Sequence, residues 1–360
     1  MLDYLPDFEK VSERYEAWWQ GAIVDRAPVS ITLLKPEDER VPVPASHHET
    51  HQERWLDTDY VVEASMAGVS NRIYAGDSLP VVWPNLGPEV FSALYGCPLI
   101  YGERTTWSEP ILADWSRESL KGLKLNWEHP LLHKLDELTE GLLEAARGRC
   151  LVGYTDLHGG GDAIAAFRDP EALLIDTLEY PEAIRELTTR ITGDFLRLYD
   201  RFHDRLSRAG MPSTTWTPVT GKGKVHIPSN DFSCMISEKA FAELFLPEIM
   251  RECRHMDRCL YHLDGPQALR HLDLLLEIPE IDAIQWVPGV GRDYWADWIH
   301  VYRKIQEAGK SLQLLNVPVT DLHLLFESLR PEGVWLSNLS GIQTRAEAAA
   351  ALKAIGRWTG

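Results

Sequence analysis

Thiol chemistry has little to work with in this chain. Its five cysteines (Cys97, Cys150, Cys234, Cys253 and Cys259) are odd in number and widely scattered over 360 residues. That excludes a disulfide framework and makes a reduced, cytoplasmic protein the expectation. Basic residues are also in deficit, with 36 Lys and Arg against 54 Asp and Glu, a formal net charge of −18. A nucleic-acid partner needs clustered cations to neutralise phosphates, so none is expected. A polyanionic substrate is disfavoured for the same reason, unless a local basic pocket overrides the global field. No apolar run approaches the roughly 20 residues that span a bilayer, so no membrane partner is expected. The opening "MLDYLPDFEKVSERYEAWW" is acidic and amphipathic and lacks the basic-then-apolar pattern of a secretory signal. Low-complexity tracts, charge blocks and short-period repeats are absent as well. So is a G-x-G-x-x-G turn, which leaves no place for NAD.

What is present is an alternation of short β-type runs with helical patterns. "APVSIT" (27–32), "CLVGYTDL" (150–157), "STTWTPV" (213–219) and "KVHIPSNDFSCMIS" (224–237) have strand character. "RCLYHLD" (258–264), "IDAIQWVPG" (281–289), "SLQLLNV" (311–317) and "GVWLSNL" (333–339) continue the series. The last four recur at roughly 22–30 residues, the size of a βα unit. Apolar residues at 44% and charged residues at 25% fit a globular protein. The expected fold is therefore α/β, a closed (β/α)8 TIM barrel with an elaborated N-terminal region. Residues 1–60 would form an extension carrying the first strand, packed on a barrel of residues 61–360, as one domain overall.

Active sites of such barrels lie at the carboxyl ends of the strands, where this sequence is polar. Asp156 and His158 follow one strand, and the glycines after them permit close approach of backbone to ligand. Asn230 and Asp231 follow another, and His262 and Asp264 a third. Trp286 ends a fourth. His262 and Asp264 are two residues apart, so on a strand they share a face while Leu263 points to the helices. Such a pair suits metal ligation or base-and-orienter chemistry. The plainer reading makes Asp264 the cap of the helix opening at Pro266. His271 and Asp273 belong to that following helix, in a solvated or supporting role. Asp77 sits in an otherwise apolar run as a turn former or a ligand. The histidines of "SHHETH" (46–51) read as incidental surface groups, and Ser237 reads as a helix N-cap.

Assembled, these segments resemble the uroporphyrinogen decarboxylase superfamily, which includes corrinoid-linked methyltransferases. The resemblance is carried by "SNDFSCMISEKAFAELFLPEIMREC", "YHLDGPQALRHLDLLLEIPEIDAIQW", "YAGDSLPVVWPNLGP" and "DLHGGGDAIAAFRDPEALLIDTLEYPEAI", and covers roughly residues 60–356. It implies a barrel, a site role for Asp77, and catalytic roles for Asp231, His262 and Asp264. Two departures matter. Thiol-alkylating members carry His-x-Cys with a later cysteine, whereas position 264 is Asp and no later cysteine follows. A harder site of His262 and Asp264, with Asp231 or Asp156 contributing, is expected instead, suited to Zn²⁺ or Mn²⁺. The arginine-rich N-terminal clamp of the decarboxylases is reduced to Arg26, which argues against an octacarboxylate tetrapyrrole.

The expected activity is methyl transfer between a small-molecule substrate and a corrinoid carried by a partner protein. Asp156, His158, Asn230, Trp83 and Trp286 are the expected substrate-binding residues, the tryptophans packing on a cationic methylated group or a corrin face. The alternatives are a cofactor-free decarboxylase using Asp77, a metal-dependent hydrolase on the same His/Asp set, or a non-catalytic binding barrel. Such barrels commonly pair, so a homodimer is also among the expected assemblies.

Overall fold

A computed structural model describes residues 2–358. Eleven strands run along the described residues. β1 is Ser30–Leu34, β2 Arg72–Gly76, β3 Val81–Val82, β4 Leu99–Tyr101, β5 Thr106–Ser108 and β6 Leu151–Val152. β7 is Val225–His226, β8 Arg258–Asp264, β9 Ala283–Val287, β10 Ser311–Leu315 and β11 Val334–Ser337. The second half builds a five-stranded parallel sheet in the order β11-β10-β9-β8-β7. Its strands alternate with helices, as expected from the apolar spacing between them. β9 is buried along nearly its whole length because both faces are covered. No helix among the described residues is long and apolar enough to cross a membrane.

The first half is less regular. β3 and β6 form a separate parallel pair, while β1–β2 and β4–β5 are antiparallel. One parallel bridge, Val29–Leu336, joins the β11 edge to the start of β1. At the other side Tyr154 N donates to Thr214 O at 2.9 Å. The described residues thus form an α/β fold with a five-stranded parallel sheet, whose ladders come in separate pieces rather than one continuous ring. The reason is local. "STTWTPV" forms no ladder strand, and "KVHIPSNDFSCMIS" shrinks to two paired residues before a short 3-10 helix at Asp231–Met235.

The helix Phe8–Trp19 covers the sheet at the amino-terminal ends of its strands. Val11, Tyr15 and Trp18 recur at helical spacing and are buried with Leu151, Val225, Leu260 and Trp335. Trp18 Nε1 donates to Leu312 O at 3.2 Å, and Trp19 Nε1 to Thr220 O at 2.8 Å. Beneath this helix lies Asp77, fully buried. Its carboxylate accepts from Arg14 Nη1 at 2.8 Å, Arg26 Nη1 at 2.5 Å and Val29 N at 2.9 Å. Its own carbonyl accepts from the Tyr15 hydroxyl at 3.0 Å. Asp77, expected among the catalytic residues, is instead committed to two arginines that tie the N-terminal helix to the start of β1.

Breaking such a buried pair strands charged partners and typically costs about 3–5 kcal/mol. Asp77→Ala should therefore lower the unfolding free energy in a urea titration by about that much. A loss under about 1 kcal/mol would show that the arginines do not depend on it.

Candidate functional site

The site begins with the alternation of β8. His262 and Asp264 lie on one face and Leu263 on the other, and Gly265 then turns the chain with φ +83°. Gly265, not Asp264, occupies the capping position of the 3-10 helix Pro266–His271, and no side chain caps that turn. The Asp264 carboxylate therefore stays free of the capping role.

Asp231 arrives from the neighbouring strand. His262 N donates to Pro228 O at 2.9 Å and Ser229 bridges to His262, so the turn after β7 runs alongside β8. This places Asp231 Oδ1 3.9 Å from His262 Nε2. Ligand atoms of Asp231, His262 and Asp264 all fall within 4.8 Å of one another. Two ligands on one zinc ion, with bonds of about 2.0–2.1 Å, lie roughly 3.3 Å apart, so modest closure would bring these donors onto a shared ion. Neither carboxylate accepts a hydrogen bond among the described residues, and the His262 ring has a neighbour at Nδ1, where it meets Gln285 Oε1. Trp216 packs edge-to-face on the ring at 5.5 Å. Burial pushes the His262 imidazolium pKa down, against the bond to Gln285 Oε1. Burial, and then the nearby Asp162, push the Asp231 carboxyl up from the usual carboxylate range.

A second cluster abuts the first. His158 Nε2 lies 2.9 Å from Asp156 Oδ1, and Nδ1 lies 2.8 Å from Ser229 Oγ. Ser229 Oγ in turn donates to Asp162 Oδ2 at 2.9 Å, so it accepts from His158, and Asp162 Oδ1 accepts from Phe232 N at 3.1 Å. Burial alone would lower the His158 pKa. The charges of Asp156 and Asp162 outweigh it and hold the ring protonated well above its ordinary range. His158, Asp162 and Asp231 together line a mostly apolar cavity of about 430 Å³, with Pro88, Phe232 and Met235 also on its walls. Asn230 supports this wall from behind. It is buried, its amide has no partner among the described residues, and a Cβ at Gly161 would sit 2.6 Å from its Oδ1. Glycine at 161 is what lets the loop close over it.

Two expected residues lie elsewhere. Trp286 pairs in register with Leu263, on the face opposite His262, and packs against Trp298 of the outer helices at 5.1 Å. Trp83 lines a separate cavity of about 360 Å³ against the helix Thr58–Ser70. His271 is buried rather than solvated, with Nε2 2.9 Å from Ser233 O. Asp273 is exposed and pairs with Lys304. His47 and His51 are exposed and Ser237 caps its helix through Ala240 N at 3.2 Å, as expected, whereas His48 is largely covered and pairs with Asp57 at 2.9 Å.

Five neighbours went unread in the sequence. Asp162 is four residues beyond His158, within reach across one helical turn. Gln285 and Gln313 are isolated polar residues inside apolar strands, a signal that was there to be used. Trp216 sits in a run with no ladder. Glu252 was hidden in an amphipathic helix, where a carboxylate ordinarily faces water.

By sequence, no family model and no curated protein matches the chain. By structure, it is similar to a methyltransferase from Methanosarcina mazei. The TM-score is 0.58 over 96% of this chain and 98% of that one, at 11% sequence identity. The likeness at that identity is one of fold.

Glu252 supplies a test of the electrostatics behind the cavity. It is buried, 4.0 Å from His226, and burial raises its carboxyl pKa to about 8 while lowering that of His226 to about 3. Between the unfolded glutamate pKa, about 4.3, and about 8, the folded chain holds a proton that the unfolded chain has released. Stability at this group therefore falls as pH rises through that window. Glu252→Gln should be more stable than the parent, by a margin that grows by about 2–4 kcal/mol from pH 5 to pH 8 in urea titrations. A margin that shrinks toward pH 8 would mean an ionised Glu252–His226 pair. The His226 contribution is common to both proteins and cancels in the comparison.

Proposed function

We propose that this chain is a methyltransferase of the corrinoid-linked kind, built on a (β/α)8 barrel of the uroporphyrinogen decarboxylase superfamily. In this reading the separate ladders are segments of that barrel, and residues 1–60 pack on it as an extension. The observation that carries the proposal is a histidine Nε2 and two carboxylates that accept no hydrogen bond among the described residues, gathered within 4.8 Å of one another beside a cavity of about 430 Å³. A fold shared along nearly its whole length with a methyltransferase supports the same class.

The donor set fits a divalent ion. One imidazole nitrogen and two carboxylates are hard-to-borderline ligands that suit Zn²⁺ or Mn²⁺, and no thiolate is within the group. His262, Asp231 and Asp264 would hold it. Such an ion, when bound, supplies a lowered pKa to a coordinated substrate heteroatom, making a nucleophile available near neutral pH. The corrinoid of a partner protein would supply the cobalt that carries the methyl group.

The rest is the work of this chain's own side chains. The protonated His158, clamped by Asp156 and Asp162, fixes the cavity wall and offsets part of the carboxylate charge. Asp231, half-exposed and shared by both clusters, faces the cavity and the metal-type donors at once. The apolar remainder of the cavity shields a small methylated group from water. Trp216 replaces Trp286 as the aromatic side chain that reaches the centre. Decarboxylation through Asp77 loses its support, because that carboxylate is occupied by Arg14 and Arg26.

Metal-free protein dialysed against Zn²⁺ or Mn²⁺ should retain about one equivalent by elemental analysis. His262→Ala and Asp264→Ala should each retain less than about a tenth of that. Only the loaded parent should change the cobalamin absorption spectrum on mixing with methylated amines, alcohols or thiols and cob(I)alamin. Metal retained equally by both variants would contradict the site. Metal retained with no spectral change for any of those donors would favour hydrolysis on the same residues.

A further inference from the structure

We infer that the buried amide pair Gln285–Gln313 is a positioning device that locks His262 in one tautomer, with the proton on Nδ1 and the lone pair on Nε2. This rests on the reading of His262 as a ligand, and it adds what makes the ring competent for that role.

Three parallel strands create the device. In the ladders β8–β9 and β9–β10, His262 is opposite Gln285 and Gln285 is opposite Gln313. Partners in register point to the same side of a sheet, so the three polar side chains form one row. Both glutamines are about 2% exposed, in a sheet whose other positions are overwhelmingly apolar. A buried amide without partners costs about 1–3 kcal/mol, so two of them are not neutral filling.

Their hydrogen bonds have a direction. Gln285 Nε2 donates to Gln313 Oε1 at 2.7 Å, which turns Gln285 Oε1 toward His262 Nδ1. A carbonyl oxygen can only accept, so Nδ1 must carry the hydrogen. A neutral imidazole has one N–H, so Nε2 keeps its lone pair, and Nε2 is the atom 3.9 Å from Asp231. Were Gln285 to turn its amide, its NH₂ group would face Nδ1 and the proton would move to Nε2, closing the ring to a cation. Unless both amides turn together, Gln313 opposes that rotation, because it would set Gln285 Oε1 against its own Oε1. Trp216, edge-on to the imidazole, restricts the ring from the other side. Glutamine does here what a carboxylate or backbone carbonyl usually does for a metal-ligating histidine. It does so without adding negative charge to a centre that already holds Asp231, Asp264, Asp156 and Asp162.

The test is nitrogen NMR of ¹⁵N-histidine-labelled, metal-free protein at neutral pH, with the His262 signals identified by their loss in His262→Gln. The parent should show a protonated Nδ1 and an unprotonated Nε2. Gln285→Leu, which keeps the volume and removes the acceptor, should shift that pattern toward Nε2–H and weaken Zn²⁺ binding about 10–100-fold in calorimetry. Gln285→Glu, which restores an acceptor, should return the Nδ1–H pattern and bring Zn²⁺ affinity to within about threefold of the parent or above it. An Nε2–H pattern in the parent, or a leucine variant with unchanged nitrogen shifts, would overturn the lock. Absence of Zn²⁺ binding by the parent would defeat the metal reading alone, since the nitrogen shifts report the tautomer whether or not an ion binds.

Discussion

The parallel register of β8 against β9 is the constraint on which the centre depends. Side chains alternate along a strand, so a one-residue slip would send His262 and Asp264 to the helix side and bring Leu263 into the interior. Burial on both faces forbids that slip. Leu263 and Trp286 fill the outer layer against the helices, and the polar row of His262, Gln285 and Gln313 has no alternative partners there. The hydrophobic outer layer thus fixes the polar inner one. Asp231 depends on the same geometry, because the turn after β7 is placed by its bonds to the β8 backbone.

Charge is divided along the strands. Toward their amino-terminal ends, Asp77 is neutralised by Arg14 and Arg26 beneath the N-terminal helix, and Asp25 holds the second face of Arg14 at 2.7 Å. At their carboxyl-terminal ends four aspartates share one charged histidine, His158, and a second histidine, His262. The first arrangement is closed, with every oxygen of Asp77 engaged. The second is open, with no hydrogen-bond donor to Asp231 or Asp264 among the described residues. Two uncommitted carboxylates beside a free imidazole nitrogen form a donor set that a divalent cation would complete. That donor set is the physical basis for reading the centre as a cation site.

Much of this was legible in sequence, and the failures have identifiable causes. The His262/Asp264 pairing followed from a period of two, which needs no long-range knowledge. Asp231, Asp156 and His158 were reached through the rule that function gathers at strand ends. Asp77 was misplaced because its partner Arg14 is 63 residues away, a contact no local pattern announces. Trp286 was misplaced although the same alternation that put Leu263 outward also puts Trp286 outward, once the strands are in register. The closed barrel was read from eight strand-like runs, but propensity at "STTWTPV" did not produce a ladder. The glutamine row required knowing which strands are neighbours, information that resides in topology.

The central claim is that His262 Nε2, Asp231 and Asp264 share one divalent ion. The most direct measurement is X-ray diffraction from Zn²⁺-soaked crystals, with data collected on both sides of the zinc absorption edge. The account predicts one strong anomalous peak about 2.0–2.2 Å from His262 Nε2 and from an oxygen of each aspartate. A peak bound instead through Nδ1, or no peak at this centre at full soaking concentration, would contradict it.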